Sequence, residues 1–558
     1  MVTTDAVPDD SEPDDDVTTA VRILPFGERA LLAEVASLAE VLDLHARLAA
    51  SRPAGVVDLV PAARTVLVRV DPAVLSVAAA RAWIGAAAVA DTATDAGSPP
   101  PLVELPVIYD GDDLAEVAAH LGVSTEEVAA RHAAAEWTVA FTGFAPGFGY
   151  LVSPDWTVEV PRRRSPRTRV PAGAVGLAGE FTGAYPRETP GGWQLIGTTT
   201  ASLFDPDAAT PALLAPGTRV RFTPASRPPA APTAAPVAPT AAPAPTAGSA
   251  PTAAPAPAAA APAAAAPAIR ILDPGPRATI QDQGRPGHAA EGLAVAGAAD
   301  RTALRTALRL VGTAEDAAGI EITMGGFRAV ALADLWIAVT GAWGAIEVDG
   351  RAVDPYVAHA WPAATELRID VFAHGARGYL AARGGWDAPR LAGSRSSDTL
   401  AGVGPAPLRA GDELALAADA VGPIPADDLH PWSAPPDDTI ELDLAPGPRA
   451  DWFTAAAHAS LFDSVWTVSS QADRVGIRLE GPELARAVPV DTAVPGELAS
   501  EGMVPGALQV PPSGRPVILG PDGPVTGGYP VIAVVTDASR DALAQARPGM
   551  RVRFRHAR

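Results

Sequence analysis

Apolar and polar positions alternate most strictly in two distant stretches of this chain. In "TRVRF", Val220 and Phe222 interleave with Arg219 and Arg221; in "MRVRF", Val552 and Phe554 interleave with Arg551 and Arg553. A period of two predicts a half-buried strand in each case. The surroundings match as well. "TPGGWQLIGTTTASLFD" leads into "APGTRVRF", and "VTGGYPVIAVVTDASRD" leads into "RPGMRVRF". Each copy has a Gly-Gly-aromatic turn, an apolar strand, a linking stretch, a Pro-Gly turn and the alternating strand. Upstream lies a Val-Pro opening, "VPAGAVGLAG" from Val170 and "VPGALQVPPSG" from Val504. A fainter third copy runs through "LAARGGWDAPRLAG" and "LRAGDELAL", from Leu380 to Leu416. The copies are domain-sized, so they predict a duplicated all-β unit rather than a solenoid.

Helical periodicity is rarer. It marks "EVLDLHARLAASR" at 40–52, "DLAEVAAHLG" at 113–122, "STEEVAARHAAAE" behind a capping Ser124, and "DRTALRTALRLVG" from Asp300 to Gly312. The expected architecture is mainly β with α+β elements: repeated β-barrel units plus a small N-terminal α+β unit. Residues 21–95 form that small unit, 96–223 a barrel, and 268–430 and 431–558 two further barrel-like units. Residues 224–267 are almost only Ala, Pro and Thr and read as a linker of at most roughly 130 Å. The acidic segment 1–20 reads as a disordered tail without the pattern of a secretory signal.

Composition removes several function classes. The 558 residues carry a formal net charge of −22, which disfavours nucleic acid and anionic membranes as partners. No apolar run is long enough for a membrane span, and a cytoplasmic location is expected. There is no cysteine, and all 42 basic residues are arginine. That excludes a thiolate metal site, a Schiff-base lysine, a Walker A lysine and a biotinyl-lysine on this chain. No structural metal is expected from the nine scattered histidines. Anions must be held by arginine forks or backbone N–H groups.

One stretch, "AFTGFAPGFGYL" at 140–151, concentrates glycine and aromatic residues. It reads either as a glycine-bent strand with Phe141, Phe144, Phe148 and Tyr150 in a core, or as a loop whose bare backbone admits a ligand. Together with "LPVIYDGDDLAEVAAHLGVSTEEVAARHAAAEWTV", "PRRRSPRTRVPAGAVGLAGEFTGAYPRETPGGWQLIG" and their order, it resembles the B subunit of 5-oxoprolinase, also known as allophanate hydrolase subunit 1. The second half, through "PGPRATIQDQGRPGHAAEGLAVAGAAD", "GSRSSD", "QADRVGIRLEGP" and "VPGALQVPPSGRPVILGPDGPVTGGYP", resembles the C subunit of 5-oxoprolinase, or allophanate hydrolase subunit 2. The resemblance implies both subunits fused in one chain, a cyclophilin-like barrel for the repeated unit, and a shared interface between the halves. The same module occurs in urea carboxylase, and a related bacterial pair inhibits a sporulation kinase. The chain departs from the usual pattern at Gly149, Ala174, Thr189, Ala299, Leu308 and Thr313.

What the resemblance implies for function is ATP-dependent opening of 5-oxo-L-proline to L-glutamate, with a separate A subunit as partner and ATP, with Mg2+, as cofactor. Such a site needs charge stabilisation for phosphoryl transfer, a group for the lactam N–H and a carboxylate clamp. Candidates for binding are Arg163 and Arg167 (with Arg164 and Arg169 beside them), Tyr185, Gly191, Gly192, Gln281, Asp282, Arg285, Ser394, Arg395, Ser396, Arg474, Arg478, Gln509, Thr526, Gly527, Gly528 and Tyr529. Candidate catalytic groups are His132, Asp398 and Asp522. Each has a plainer reading. The arginine run fits a solvated face, a lone helical His132 a packed or capping residue, and Asp522 ordinary turn chemistry. The recurring Gly-Gly turn must be partly structural. Carboxyl transfer with a separate biotin carrier and a non-catalytic kinase-binding role remain alternatives, and self-association stays open.

Overall fold

The computed structural model describes residues 21–90, 102–226, 265–426, 432–436, 438–487 and 498–557, except 164, 166, 207 and 209. The expected tail at 1–20, Arg164 and most of the expected linker fall outside them. The N-terminal unit is a four-stranded antiparallel sheet covered by two helices, Leu38–Ala50 and Val77–Val89. Ser37 caps the first helix and exchanges a hydrogen bond with Glu40, as a capping box does. Val77–Val89 is apolar on nearly every side, so it carries little 3.6-residue signal.

The two strictly alternating stretches are the last strands of two similar barrels. Arg219–Pro224 runs parallel to Leu102–Val107, with Phe222 opposite Leu105. Arg551–His556 runs parallel to Thr439–Pro446, with Phe554 opposite Leu442. Each barrel then continues antiparallel from its last strand, into Trp137–Thr142 in one and Trp466–Ala472 in the other. The second barrel closes through Leu444 and Val535, the first through the bridge between Ile108 and Thr198. A helix precedes the tryptophan strand in both. Trp137 Nε1 donates to the His132 carbonyl at 3.0 Å, and Trp466 Nε1 to the Leu461 carbonyl at 3.1 Å. The Gly-Gly-aromatic turns also correspond. Thr189–Gly191 pairs with Arg167–Val170, and Thr526–Gly527 pairs with Glu501–Gly502.

The faint third copy does not repeat this topology. Residues 267–426 divide their strands between a six-stranded and a five-stranded sheet. Their first strand, Pro267–Pro274, and their last, Glu413–Ala415, pair antiparallel, with Ile269 opposite Leu414. The Gly-Gly-Trp turn there carries the same local chemistry in a different sheet order.

The halves pack into one body. Leu24, Phe26, Ala30, Leu32, Val60 and Leu67 of the N-terminal unit share a core with Met503, Val504, Ala507, Leu519, Val531 and Val534 of the second barrel. Buried Arg449 adds polar stitching, reaching Glu34 across the junction at 2.7 Å while its Nε bonds Glu501 at 2.9 Å. No helix among the described residues is long and apolar enough to cross a membrane.

Candidate functional site

A cavity of about 140 Å3 opens where the halves meet. Phe144, Ala145 and Pro146, followed by Arg187, Glu188 and Thr189, come from the first barrel. Gly292, Asp398, Leu400, Ala401 and the run Asp522–Val525 come from the second half. The room amounts to on the order of ten waters, a space for one small ring.

The glycine-rich stretch now has a physical reason. A Cβ on Gly143 would sit 1.9 Å from Thr526 Oγ1 of the opposite half, so only a bare backbone fits. Thr142 Oγ1 donates to the Ala290 carbonyl, and Gly147 N–H to the Glu291 carbonyl at 3.3 Å. Of the two readings of the stretch, the core one holds for three of its four aromatics. Phe141, Phe148 and Tyr150 are buried; Phe141 stacks on Tyr150, and Phe148 packs against Tyr185 and Trp193. Phe144 is 41% exposed at the cavity wall and takes a left-handed φ of 66°. For a bulky residue that is a strained backbone, the kind stored at binding sites.

Asp398 and Asp522 line the cavity in different states. Asp522 is partnered at both oxygens. Its Oδ1 accepts from Arg474 Nη2 at 2.7 Å, and its Oδ2 from Arg474 Nε, Thr399 N and Thr399 Oγ1 at 3.0, 2.8 and 2.7 Å. Arg474 is itself filled by Glu321 and the Gly297 carbonyl, each at 2.7 Å. The pair is therefore a buried latch, in which Oδ2 is filled by three donors and Oδ1 is held by one. Asp398 Oδ1 accepts from Ala401 N at 2.8 Å, while Oδ2 is buried with no partner. Burial and the charge of Asp522 push the Asp398 carboxyl up to about 6.

The "QDQGR" and "GSRSSD" residues deliver Asp398 rather than lining the cavity. Asp282 clasps the loop, accepting from Ser394 Oγ, Ser396 Oγ and Arg395 N at 2.6 Å each. Gln281 donates to the Ser397 carbonyl at 3.1 Å, and Arg285 to the Ser396 carbonyl. Arg285 keeps Nε and Nη1 buried and unpartnered, with Asp398 among the carboxylates whose charge it feels. Arg395 points the other way, to Asp419 at 3.1 Å.

Other expected site residues are engaged elsewhere. Arg163 and Arg167 both bond Asp113 Oδ1, at 2.6 and 2.7 Å. Burial opposes the charge of Asp113, but Arg167, the Leu195 N–H and Arg163 outweigh it and hold its carboxyl below the usual range. This cluster pins the segment before Arg167–Val170 to the barrel, while Arg163 Nε and Arg167 Nη1 stay buried without a partner. Tyr185 is buried under Gly191, where a Cβ would lie 2.5 Å from its hydroxyl, and the Gly192 carbonyl accepts from Arg163 N at 2.9 Å. Arg478 is exposed on a strand, and Tyr529 is exposed beyond the Gly527-Gly528 turn. Gln509 is buried and bonds Met503 Sδ at 3.2 Å. Thr526 packs on Gly143.

His132 is the clearest correction. Its ring lies in the first barrel's core against Phe222, Trp137 and Trp156. Tyr109 Oη sits 2.9 Å from Nδ1 and Thr182 Oγ1 2.8 Å from Nε2. Burial lowers its pKa to about 3, so the ring stays neutral, and it is a core residue rather than a general base. Arg187 is the cavity residue that sequence reasoning misses. It stands singly in a turn, beside the more conspicuous arginine run and Gly-Gly motif, and nothing local marks it.

Residues 21–214 match the carboxyltransferase domain, subdomain C and D, and residues 291–556 match the carboxyltransferase domain, subdomain A and B. The chain is 34% identical to the 5-oxoprolinase C subunit of Escherichia coli K12 over 291 residues, 51% of this chain and 90% of that relative. It is 54% identical to the 5-oxoprolinase B subunit of Escherichia coli O157:H7 over 125 residues, 22% of this chain and 57% of that relative. Urea amidolyase of Lachancea kluyveri is 30% identical over 306 residues, 51% of this chain but 17% of that much longer protein. The crystal structure of TTHA0988 aligns with a TM-score of 0.77 and 34% identity, over 94% of this chain and 99% of that one. The chain thus belongs to the carboxyltransferase-domain family, and it joins subdomains C and D with subdomains A and B in one polypeptide.

Proposed function

We propose that the chain is the fused B–C component of an ATP-dependent 5-oxoprolinase, opening 5-oxo-L-proline to L-glutamate together with a separate A subunit. The observation that carries this reading is the small cavity between the halves, built from both and holding one unsatisfied carboxylate, Asp398. The names of the relatives to each half agree with it.

The lactam resists hydrolysis because its amide is resonance-stabilised. Phosphorylation of the carbonyl oxygen, the chemistry ATP would supply, removes that resonance, so that water adds to the ring carbon, the C–N bond breaks with the proton going to nitrogen, and phosphate leaves. The chain's residues prepare the lactam for this. Asp398 is ionised above pH about 6 and free at Oδ2, so it accepts the lactam N–H and pushes electron density toward the carbonyl oxygen. The Arg474–Asp522 latch keeps the neighbouring turn rigid, and Phe144 closes the apolar side. The described residues hold no cluster of three His, Asp or Glu fit for a metal, so Mg2+ would arrive with the nucleotide and be held mainly by its phosphates.

The test is activity of the purified chain on 5-oxoproline with ATP and Mg2+, alone and with a candidate A subunit. Glutamate released in step with ADP only in the combination is the expected result. Full glutamate formation by the single chain would remove the division of labour. Transfer of carboxyl from carboxybiotin to urea, with no 5-oxoproline activity in any combination, would replace the reading. The carrier would then be a separate protein, because this chain has no lysine to biotinylate.

A further inference from the structure

Buried polar atoms without partners are rare in folded proteins, and each calls for a reason. Three of them belong to residues lining the cavity between the halves: Arg187 Nε, Thr189 Oγ1 and Asp398 Oδ2. Two come from the first barrel and one from the second half. The set is chemically specific. Arg187 can only donate, ionised Asp398 can only accept, and Thr189 can do either.

Arg187 crosses the junction and donates from Nη2 to the Leu400 carbonyl. That contact orients the guanidinium but brings no counter-charge. Among the described residues no carboxylate lies within ion-pairing distance of it. Glu188 at the rim is paired with Arg169, and Asp522 with Arg474. Burial works against the charge of Arg187, and Asp398 is the carboxylate that offsets it. A small anion entering the cavity would complete the guanidinium with a charge-assisted bond.

We infer that Arg187 is the specificity residue of this cavity: it takes the carboxylate of a small cyclic amide whose N–H is accepted by Asp398, with Thr189 bonding the same ligand. The inference rests on the 5-oxoprolinase reading for the identity of the ring. Its own content is a demand for a carboxylate beside an N–H donor. A neutral lactam offers the N–H alone, and so does urea. The site as built therefore discriminates through Arg187, a residue of the half that does not supply Asp398.

Equilibrium binding to the full chain tests this, with 5-oxoproline and 2-pyrrolidinone, the same ring without the carboxylate, as probes. The wild type should prefer 5-oxoproline by about 10- to 100-fold, the range expected for a bond to a charged group. Arg187→Gln should bind the two alike, and Arg187→Lys should regain part of the preference. Thr189→Val should weaken 5-oxoproline binding without lowering the melting temperature, because the hydroxyl has no partner to lose. No preference in the wild type, or a preference kept by Arg187→Gln, overturns the inference. If Arg187→Gln misfolds, the wild-type preference and Thr189→Val decide. Glutamate formation with the A subunit is measured in parallel. Turnover without an Arg187-dependent preference removes this inference and leaves the function. An Arg187-dependent preference for the carboxylate without turnover removes the function and leaves this inference.

Discussion

Two aspartates in one cavity illustrate how partners, not residue type, set chemistry. Asp522 is neutralised by a two-nitrogen contact with Arg474, whereas Asp398 is left with a buried free oxygen. The Asp398 carboxyl is raised from an unfolded value of about 3.9 to about 6. The folded protein therefore holds this proton more tightly, and stability declines as pH rises from about 4 to about 6, then levels off. Asp398→Asn should gain melting temperature over the wild type at pH 7.5 and gain less at pH 4; calorimetry at the two pH values checks this, and equal gains would refute it. Gly143 makes a second residue-scale case. Gly143→Ala places a methyl against Thr526 Oγ1 and should destabilise by about 1–3 kcal/mol, as overpacking does. Pairing it with Thr526→Gly should recover part of the loss in denaturant titrations.

At the level of elements, the same local devices appear in both barrels. A capped helix leads into a tryptophan strand, and the indole ties back to a helix carbonyl. Helix Arg301–Leu310 links the two units of the second half through its N-cap. Asp300 Oδ1 accepts from Ala303 N at 2.8 Å, and Oδ2 accepts from Gln545 Nε2 at 2.7 Å. Burial, aided by Asp541, pushes the Asp300 carboxyl up to about 7, so its charge opposes folding above that pH. Asp300→Asn retains a capping side chain without the charge and should equal or exceed wild-type stability at pH 8. Asp300→Ala loses the cap and should cost roughly 1 kcal/mol or more. Thermal melts of both variants at pH 8 separate capping from charge burial.

Over the whole molecule, the halves are held by a shared apolar core rather than by chain connectivity alone. Phe26 is 1% exposed and lies in the cluster formed with Val504, Val531 and Val534. Cutting at a protease site introduced between residues 227 and 264 should leave two fragments that co-elute on a sizing column. Phe26→Ala should cost about 3–5 kcal/mol at the junction and release the fragments from each other. Fragments that separate without the substitution would mean that the shared core contributes little to docking. Because the cavity takes one wall from each half, separation should also abolish ligand binding.

Sequence alone determined what depends on neighbours along the chain. The period-two strands, the Ser124 cap and the paired Gly-Gly turns are local, so alternation and turn chemistry revealed the duplicated barrel. The absent lysines bounded the cofactor chemistry without any structure. Tertiary packing decided the rest. "LAARGGWDAPRLAG" has the same local chemistry as the true copies, yet sheet order, a long-range property, sets it apart. His132 and the pair Arg163 and Arg167 look functional in one dimension, but the barrel closes around the first, and Asp113 pairs with the others while leaving Arg163 Nε and Arg167 Nη1 buried without a partner. Arg187 looks ordinary in its turn and becomes distinctive only across the junction, 213 positions from the carbonyl it contacts. Which polar atoms stay unsatisfied is settled by partners distant in sequence, and that is why Asp398 and Asp522 were legible as candidates while Arg187 and the difference between the two aspartates were not.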